Sequence, residues 1–445
     1  MSYNPYGAPP PGGYPQQPQQ YAAPGYAPPP GAPGGYPAPP GNPYGAPPQQ
    51  HQPYPPQHQP YPPPPQQQQP YGYNQPPQGY GQPPQGYHQP PPGPPQQQAY
   101  GGGGGYGGPT PGGPTLYLGV PVAPLASHGP PQPAPGFDAH TVVEKIRKAT
   151  KGFGTDESGL INAIAPLDSW QADTVRHAFK ASTGKDVVAV IEKETSGYFE
   201  WTLRAKILGA VGFDAWLVKN ATSGAGTNES ILNEVLLGRS AQDMWLLKQA
   251  YQQTYGKSLE RTVEDDLSFK TKRLFSMAMQ GNVPPDSVPV DQRLVEADVQ
   301  TLNKGARGMG TDEIAISGVL VNRNEAHLAA VCLRYEQVHR TKVSKMILSE
   351  FSGHMEDALL QIVLAAEGDG RGIERDAKLL EAAMAGMGTK DELLITRVVR
   401  ASWNRARFEE VKRCYAAKHH KKGLTNRVEG EISGDYKKAL VAIIG

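Results

Sequence analysis

The sequence predicts an all-α fold of four repeats, each of five helices, preceded by a long disordered tail. Three observations lead there. No Asp, Glu, Lys or Arg precedes Asp138, whereas charge is dense after it. Beyond that point apolar residues recur at three- to four-residue spacing. A short glycine–threonine corner then returns four times at similar intervals.

The tail comes first. Residues 1–137 hold 44 of the 48 prolines and 16 of the 22 tyrosines, in runs such as PQGYGQPPQGYHQPPPG at 77–93. So few aliphatic side chains cannot offset the entropy of ordering the backbone. Such a chain can be an inert linker. Its regularly spaced tyrosines also suit self-association or a protein partner.

All 42 basic and 41 acidic residues follow, for a formal net charge of +1. That balance argues against nucleic acid as a partner, since such binding wants a basic domain. Cys332 and Cys414 stand far apart, with no CxxC pattern. A reducing, cytoplasmic setting fits better than a disulfide framework. No signal-peptide pattern opens the chain, and no apolar run is long enough to span a bilayer. Any membrane contact is expected to be peripheral.

The helical part begins with DAHTVVEKIRKAT, which puts Val142, Val143, Ile146 and Ala149 near one face. SGLINAIAPL, ADTVRHAFKAS, KDVVAVIEKE and YFEWTLRAKILGAVG continue the pattern, giving five helices between Asp138 and Gly209. The corners read TKGFGTDE at 150–157, TSGAGTNE at 222–229, ARGMGTDE at 306–313 and MAGMGTKDE at 384–392. The expected units are a tail over 1–137 and repeats over 138–209, 210–282, 293–370 and 371–445. A Pro-rich linker at 283–292 separates the second and third repeats.

Three chemistries compete for the corner. A nucleotide phosphate loop needs GxxxxGK[ST] after a strand, which is absent. A plain helix–helix corner would use glycine to end one helix and Thr155, Thr227, Thr311 and Thr389 to cap the next. A calcium site would add a carboxylate at fixed distance. Glu194, Asp266 and Glu350 each lie 42 residues beyond their first corner glycine, and Glu431 lies 45 beyond Gly386. Calcium takes six to eight oxygens, and glycines let successive carbonyls turn to one point.

The G-x-G-T corner, the acid 42 residues on, the S-G-x-[FM]-E or S-G-D-Y that follows and four repeats of 70–80 residues together resemble the annexin family. The resemblance covers roughly 138–445, and the Pro/Gly/Tyr/Gln tail is similar to that of its long-tailed members. It implies a curved annexin-type array and calcium-dependent binding to anionic phospholipid membranes. Ca2+ would bridge corner carbonyls and one acid to lipid phosphates. By that resemblance the ligands are Thr150, Gly152, Gly154 and Glu194 in repeat one, and Thr222, Gly224, Gly226 and Asp266 in repeat two. They are Ala306, Gly308, Gly310 and Glu350 in repeat three, and Met384, Gly386, Gly388 and Glu431 in repeat four. The tail could cluster membranes or vesicles.

Three departures stand out. Repeat four has the longer spacing, with Lys390 read as an insertion. Phe269 replaces a usual glycine in repeat two. Leu167 stands where repeats two and three have Arg239 and Arg323. The resemblance also assigns Asp214, Glu234, Arg239 and Arg397 to a charged centre, read as buried pairs that fix the arrangement of repeats. No enzyme is expected: His177, His327 and His339 have no nucleophile pattern beside them. A calcium-independent scaffold working through the tail is the competing function.

Overall fold

The computed structural model describes residues 115–124, 132–152, 154–224, 226–307 and 310–445. Residues 1–114 and 125–131 of the tail expected over 1–137 lie outside these residues. Among the described residues twenty helices fall five to a repeat. Repeat one has α1 (Ala139–Ala149), α2 (Glu157–Ile164), α3 (Ser169–Thr183), α4 (Val187–Glu194) and α5 (Gly197–Ile207). Repeat two has α6 (Gly209–Ala221), α7 (Glu229–Leu236), α8 (Ala241–Tyr255), α9 (Leu259–Asp266) and α10 (Phe269–Met279). Repeat three has α11 (Gln292–Ala306), α12 (Glu313–Val321), α13 (Glu325–His339), α14 (Val343–Glu350) and α15 (Gly353–Ala366). Repeat four has α16 (Ile373–Met384), α17 (Asp391–Trp403), α18 (Arg405–Lys418), α19 (Gly423–Glu431) and α20 (Gly434–Ile444).

Within each repeat the apolar stripes read from sequence meet in one core. Ile146, Leu160, Val175, Ile191 and Leu203, one from each helix of repeat one, are all essentially fully buried. The repeats also close on themselves. α20 and α17 of repeat four pack on α5 of repeat one, while α10 and α7 of repeat two pack on α12 and α15 of repeat three. Tyr198 and Tyr436 sit with ring centroids 5.6 Å apart across the first of these contacts. Lys206 is buried there, its Nζ 3.9 Å from the Trp403 ring centroid. Burial holds that amine well below the usual lysine range.

The end of the stretch read as tail belongs to the core, which moves the expected boundary at 137. β1 (Leu116–Tyr117) and β2 (Val120–Pro121) form a two-stranded antiparallel hairpin, in which Gly119 takes a φ of 73°. Tyr117, Val122 and Ala134 are buried. Tyr117 Oη donates to Asp214 Oδ2 at 2.7 Å, and the Leu118 amide donates to Asp243 Oδ1 at 2.9 Å. Trp170 Nε1 donates to the Gln132 carbonyl at 2.9 Å. Composition averaged over 137 residues hid these few apolar anchors.

Candidate calcium corners

Each corner starts where a helix ends: α1, α6, α11 and α16. The chain loops out and is tied back by one backbone bond. The amides of Asp156, Asn228, Asp312 and Lys390 donate to the carbonyls of Ala149, Ala221, Gly305 and Ala383 at 2.8–2.9 Å. Lys390 is therefore no insertion, because the repeat-four corner has the same length as the others. Its additional residues lie later, in the longer α17 and its junction with α18, and in the loop before α19.

Inside the loops φ is positive: 116° and 82° at Gly152 and Gly154, 100° and 90° at Gly224 and Gly226, 100° at Gly310, and 98° and 84° at Gly386 and Gly388. A Cβ at any of them would meet nothing within 4 Å. Backbone conformation, not lack of room, demands glycine here. Gly308, assigned with Ala306 and Gly310, lies outside the described residues.

The threonines do not cap the following helices as the sequence suggested. Asp156, Asn228 and Asp312 do, accepting from the amides of Gly159, Ile231 and Ala315. Thr and Asp or Asn are both good caps, and the later one in the chain takes the position. Lys390 occupies it in repeat four and gives no side-chain cap.

The freed threonine hydroxyls reach the distant acids. Thr155 Oγ1 donates to the Glu194 carbonyl at 2.9 Å, and Thr227 Oγ1 to Asp266 Oδ2 at 2.5 Å. Thr311 and Thr389 donate to Glu350 Oε2 and Glu431 Oε2, each at 3.1 Å. The four acids are the last residues of α4, α9, α14 and α19. Every corner thus brings two helix C-termini and a carboxylate together, an arrangement that favours a cation.

Among the described residues no group of three or more His, Cys, Asp or Glu could hold a metal. A cation here would rest mainly on backbone carbonyls, with one carboxylate, which is the hard-oxygen donor set calcium takes. The donor residues of repeats one and two, and those described in repeat three, fit it. Repeat four does not. Arg427 Nη2 donates to the Met384 carbonyl at 2.6 Å, and Nη1 pairs with Glu431 Oε1. Two of the four oxygens assigned to the metal are already engaged.

The loop after each acid also repeats. Gly197, Gly353 and Gly434 open α5, α15 and α20 with φ near 60°. Phe269 opens α10 with φ 46°, and its side chain is 91% exposed. Left-handed backbone costs a non-glycine residue roughly 1–2 kcal/mol.

The charged centre assembles as expected and gains members. Glu234 and Arg397 pair at 2.6 Å, with both side chains under 10% exposed. Asp214 takes Arg239 at 3.3 Å and Arg400 at 2.8 Å, besides the Tyr117 hydroxyl. Burial raises the Asp214 carboxyl to about 6, against the pull of Arg239 and that hydroxyl. Arg400 and Tyr117 carried no local sequence signal, lying 186 and 97 residues from Asp214. Beside these groups opens a cavity of about 270 Å³, with Arg375, Asp376 and Arg407 in its wall. Arg323 repeats the Arg239 bond in repeat three, 2.7 Å from Asp298, whereas Leu167 is buried in repeat one. His327 is bonded to Asp298 at 2.9 Å, and the His339 ring packs on Tyr335.

Comparison with known proteins agrees with this architecture. The sequence profile of the family described as Annexin matches residues 141–205, 213–277, 297–362 and 375–443, one segment per repeat. Annexin C1 of Cryptococcus neoformans is 46% identical over 332 residues, 74% of this chain and 70% of that protein. Human annexin A11 is 37% identical over 334 residues, 74% of this chain and 64% of its own length. Among solved structures, annexin III has a TM-score of 0.64 at 29% identity, covering 71% of this chain and 96% of its own. Chicken annexin V in complex with Zn2+ has a TM-score of 0.62 at 32% identity, covering 71% and 97%. The four matched segments coincide with the four five-helix units and their glycine–threonine corners, and this chain belongs to the annexin family, whose members bind phospholipid in a calcium-dependent way.

Proposed function

We propose that the protein binds anionic phospholipid membranes through calcium held at the corners of repeats one to three. The set is Thr150, Gly152, Gly154 and Glu194, then Thr222, Gly224, Gly226 and Asp266, then Ala306, Gly308, Gly310 and Glu350. The observation that carries this reading is the threonine hydroxyl bond joining each corner to an acid 39 residues away in three repeats. Calcium held there would supply the positive charge that a lipid phosphate needs. The chain supplies the oxygens, keeps the corner folded, and leaves coordination positions that water or phosphate can fill. This suits a chain with a formal charge of only +1, whose described helices include none long and apolar enough to cross a membrane. Several corners on one rigid body raise avidity without new contacts.

In this reading the protein is cytoplasmic and peripheral on membranes when calcium rises, and the tail gathers membranes or protein partners. Co-sedimentation with phosphatidylserine vesicles tests it. Pelleting should need calcium and fall at least about tenfold in affinity when Glu194→Gln, Asp266→Asn and Glu350→Gln are combined. Equal pelleting in chelator, or none lost in the triple variant, would sink it. Removing 1–114, and not 1–137, tests the tail, because Tyr117, Val122 and Ala134 belong to the core.

A further inference from the structure

The residue four positions before the acid is Val190 in repeat one, Thr262 in repeat two and Met346 in repeat three. In repeat four it is Arg427. On a helix that spacing stacks the side chain over the acid, one turn back. Arg427 bonds both halves of its corner: Nη1 pairs with Glu431 and Nη2 donates to the Met384 carbonyl at 2.6 Å. Its Nε lies 3.8 Å from Glu381 Oε2, and the Tyr415 hydroxyl holds that carboxylate from α18. Glu431 in turn accepts from Thr389, the bond repeats two and three also form between threonine and carboxylate. The Arg427 and Glu431 side chains are only 24% and 20% exposed.

We infer that Arg427 is a built-in cation that closes the repeat-four corner in place of calcium. The inference rests on the calcium reading of the corners, and it makes repeat four the exception. A guanidinium suits the position chemically. It is permanently charged, and its planar fork can serve a carboxylate and a carbonyl at once. It carries one charge where calcium carries two, and it offers no open coordination position to a phosphate. The corner then keeps its shape at any calcium level, and the protein has three calcium-dependent corners, not four. Met387, fully exposed at the tip of this loop, is presented whether or not calcium is present.

Hydrogen exchange of the full chain, read by mass spectrometry at each corner with saturating calcium and with chelator, decides the matter. Calcium should slow exchange at the corners of repeats one to three by at least about fivefold, and leave 384–390 unchanged. In Arg427→Gln the segment 384–390 should exchange faster in chelator than in the unchanged chain, and become calcium-sensitive like the others. Slowing at 384–390 of the unchanged chain equal to that at the other three overturns this inference and leaves the calcium reading intact. An Arg427→Gln corner that stays as closed and as insensitive as before also overturns it. No response at any corner in either protein overturns both.

Discussion

The corners and the charged centre were both read from sequence, yet they differ in kind. A corner is local and repeated. Its glycines, its threonine and its acid recur in every copy, so four weak signals reinforce one another. The centre is joined once: repeat three repeats the Arg239–Asp214 bond as Arg323–Asp298, but only Glu234 and Asp214 of repeat two meet Arg397 and Arg400 of repeat four. Those two cross-repeat pairs exist only because the repeats meet. Repetition carries the ligand-facing features, and the unrepeated residues fix how the copies are arranged.

That contrast can be broken by stability measurements. Glu234→Ala should cost the most, about 3–5 kcal/mol in urea unfolding, because it strands Arg397 as a buried charge. Calcium-dependent vesicle binding of the folded protein should survive it. A cost below about 1 kcal/mol would make the pair no better than a surface salt bridge and erase the distinction. Tyr117→Ala comes next, at about 3 kcal/mol in the same assay, since it empties a fully buried site and removes a hydroxyl donor from Asp214.

Smaller effects belong to the corners. Asn228→Ala should lose about 1 kcal/mol by removing the α7 cap, and Lys390→Asp should gain a similar amount by giving α17 the cap it lacks. Thermal denaturation in chelator would show both; equal and negligible shifts would mean the caps are idle. Phe269→Gly should be smallest, a gain of about 0.5–1 kcal/mol from relief of left-handed backbone. Destabilisation by that change would show that the exposed ring has a packing role in solution.

The helix count and the corner–acid pairing were legible because both depend on short-range periodicity and a repeated offset. The role of threonine was not. With Thr155 and Asp156 adjacent, local propensity favours either as the cap, and only the long-range bond to Glu194 decides. Lys390 resembles an insertion only because the span from glycine to acid crosses helices whose lengths differ. Arg427 was visible only by setting the four residues before the acids side by side, Val190, Thr262, Met346 and Arg427, one cation among three uncharged side chains. Tyr117 was lost in the composition of the segment around it. The closure of the repeats has no local signal and follows only from the resemblance, since nothing in a periodic apolar stripe says which other repeat will cover it.

That closure has a consequence for how the chain is made. α20, made after every other described helix, packs on α2 and α5 of the first repeat. Repeat one therefore emerges well before α17 and α20, the helices that cover α5. Contacts this distant in sequence form slowly and leave apolar surface exposed meanwhile. Synthesis order and assembly order run opposite ways here, and a chain truncated before α20 would leave its oldest helices partly uncovered.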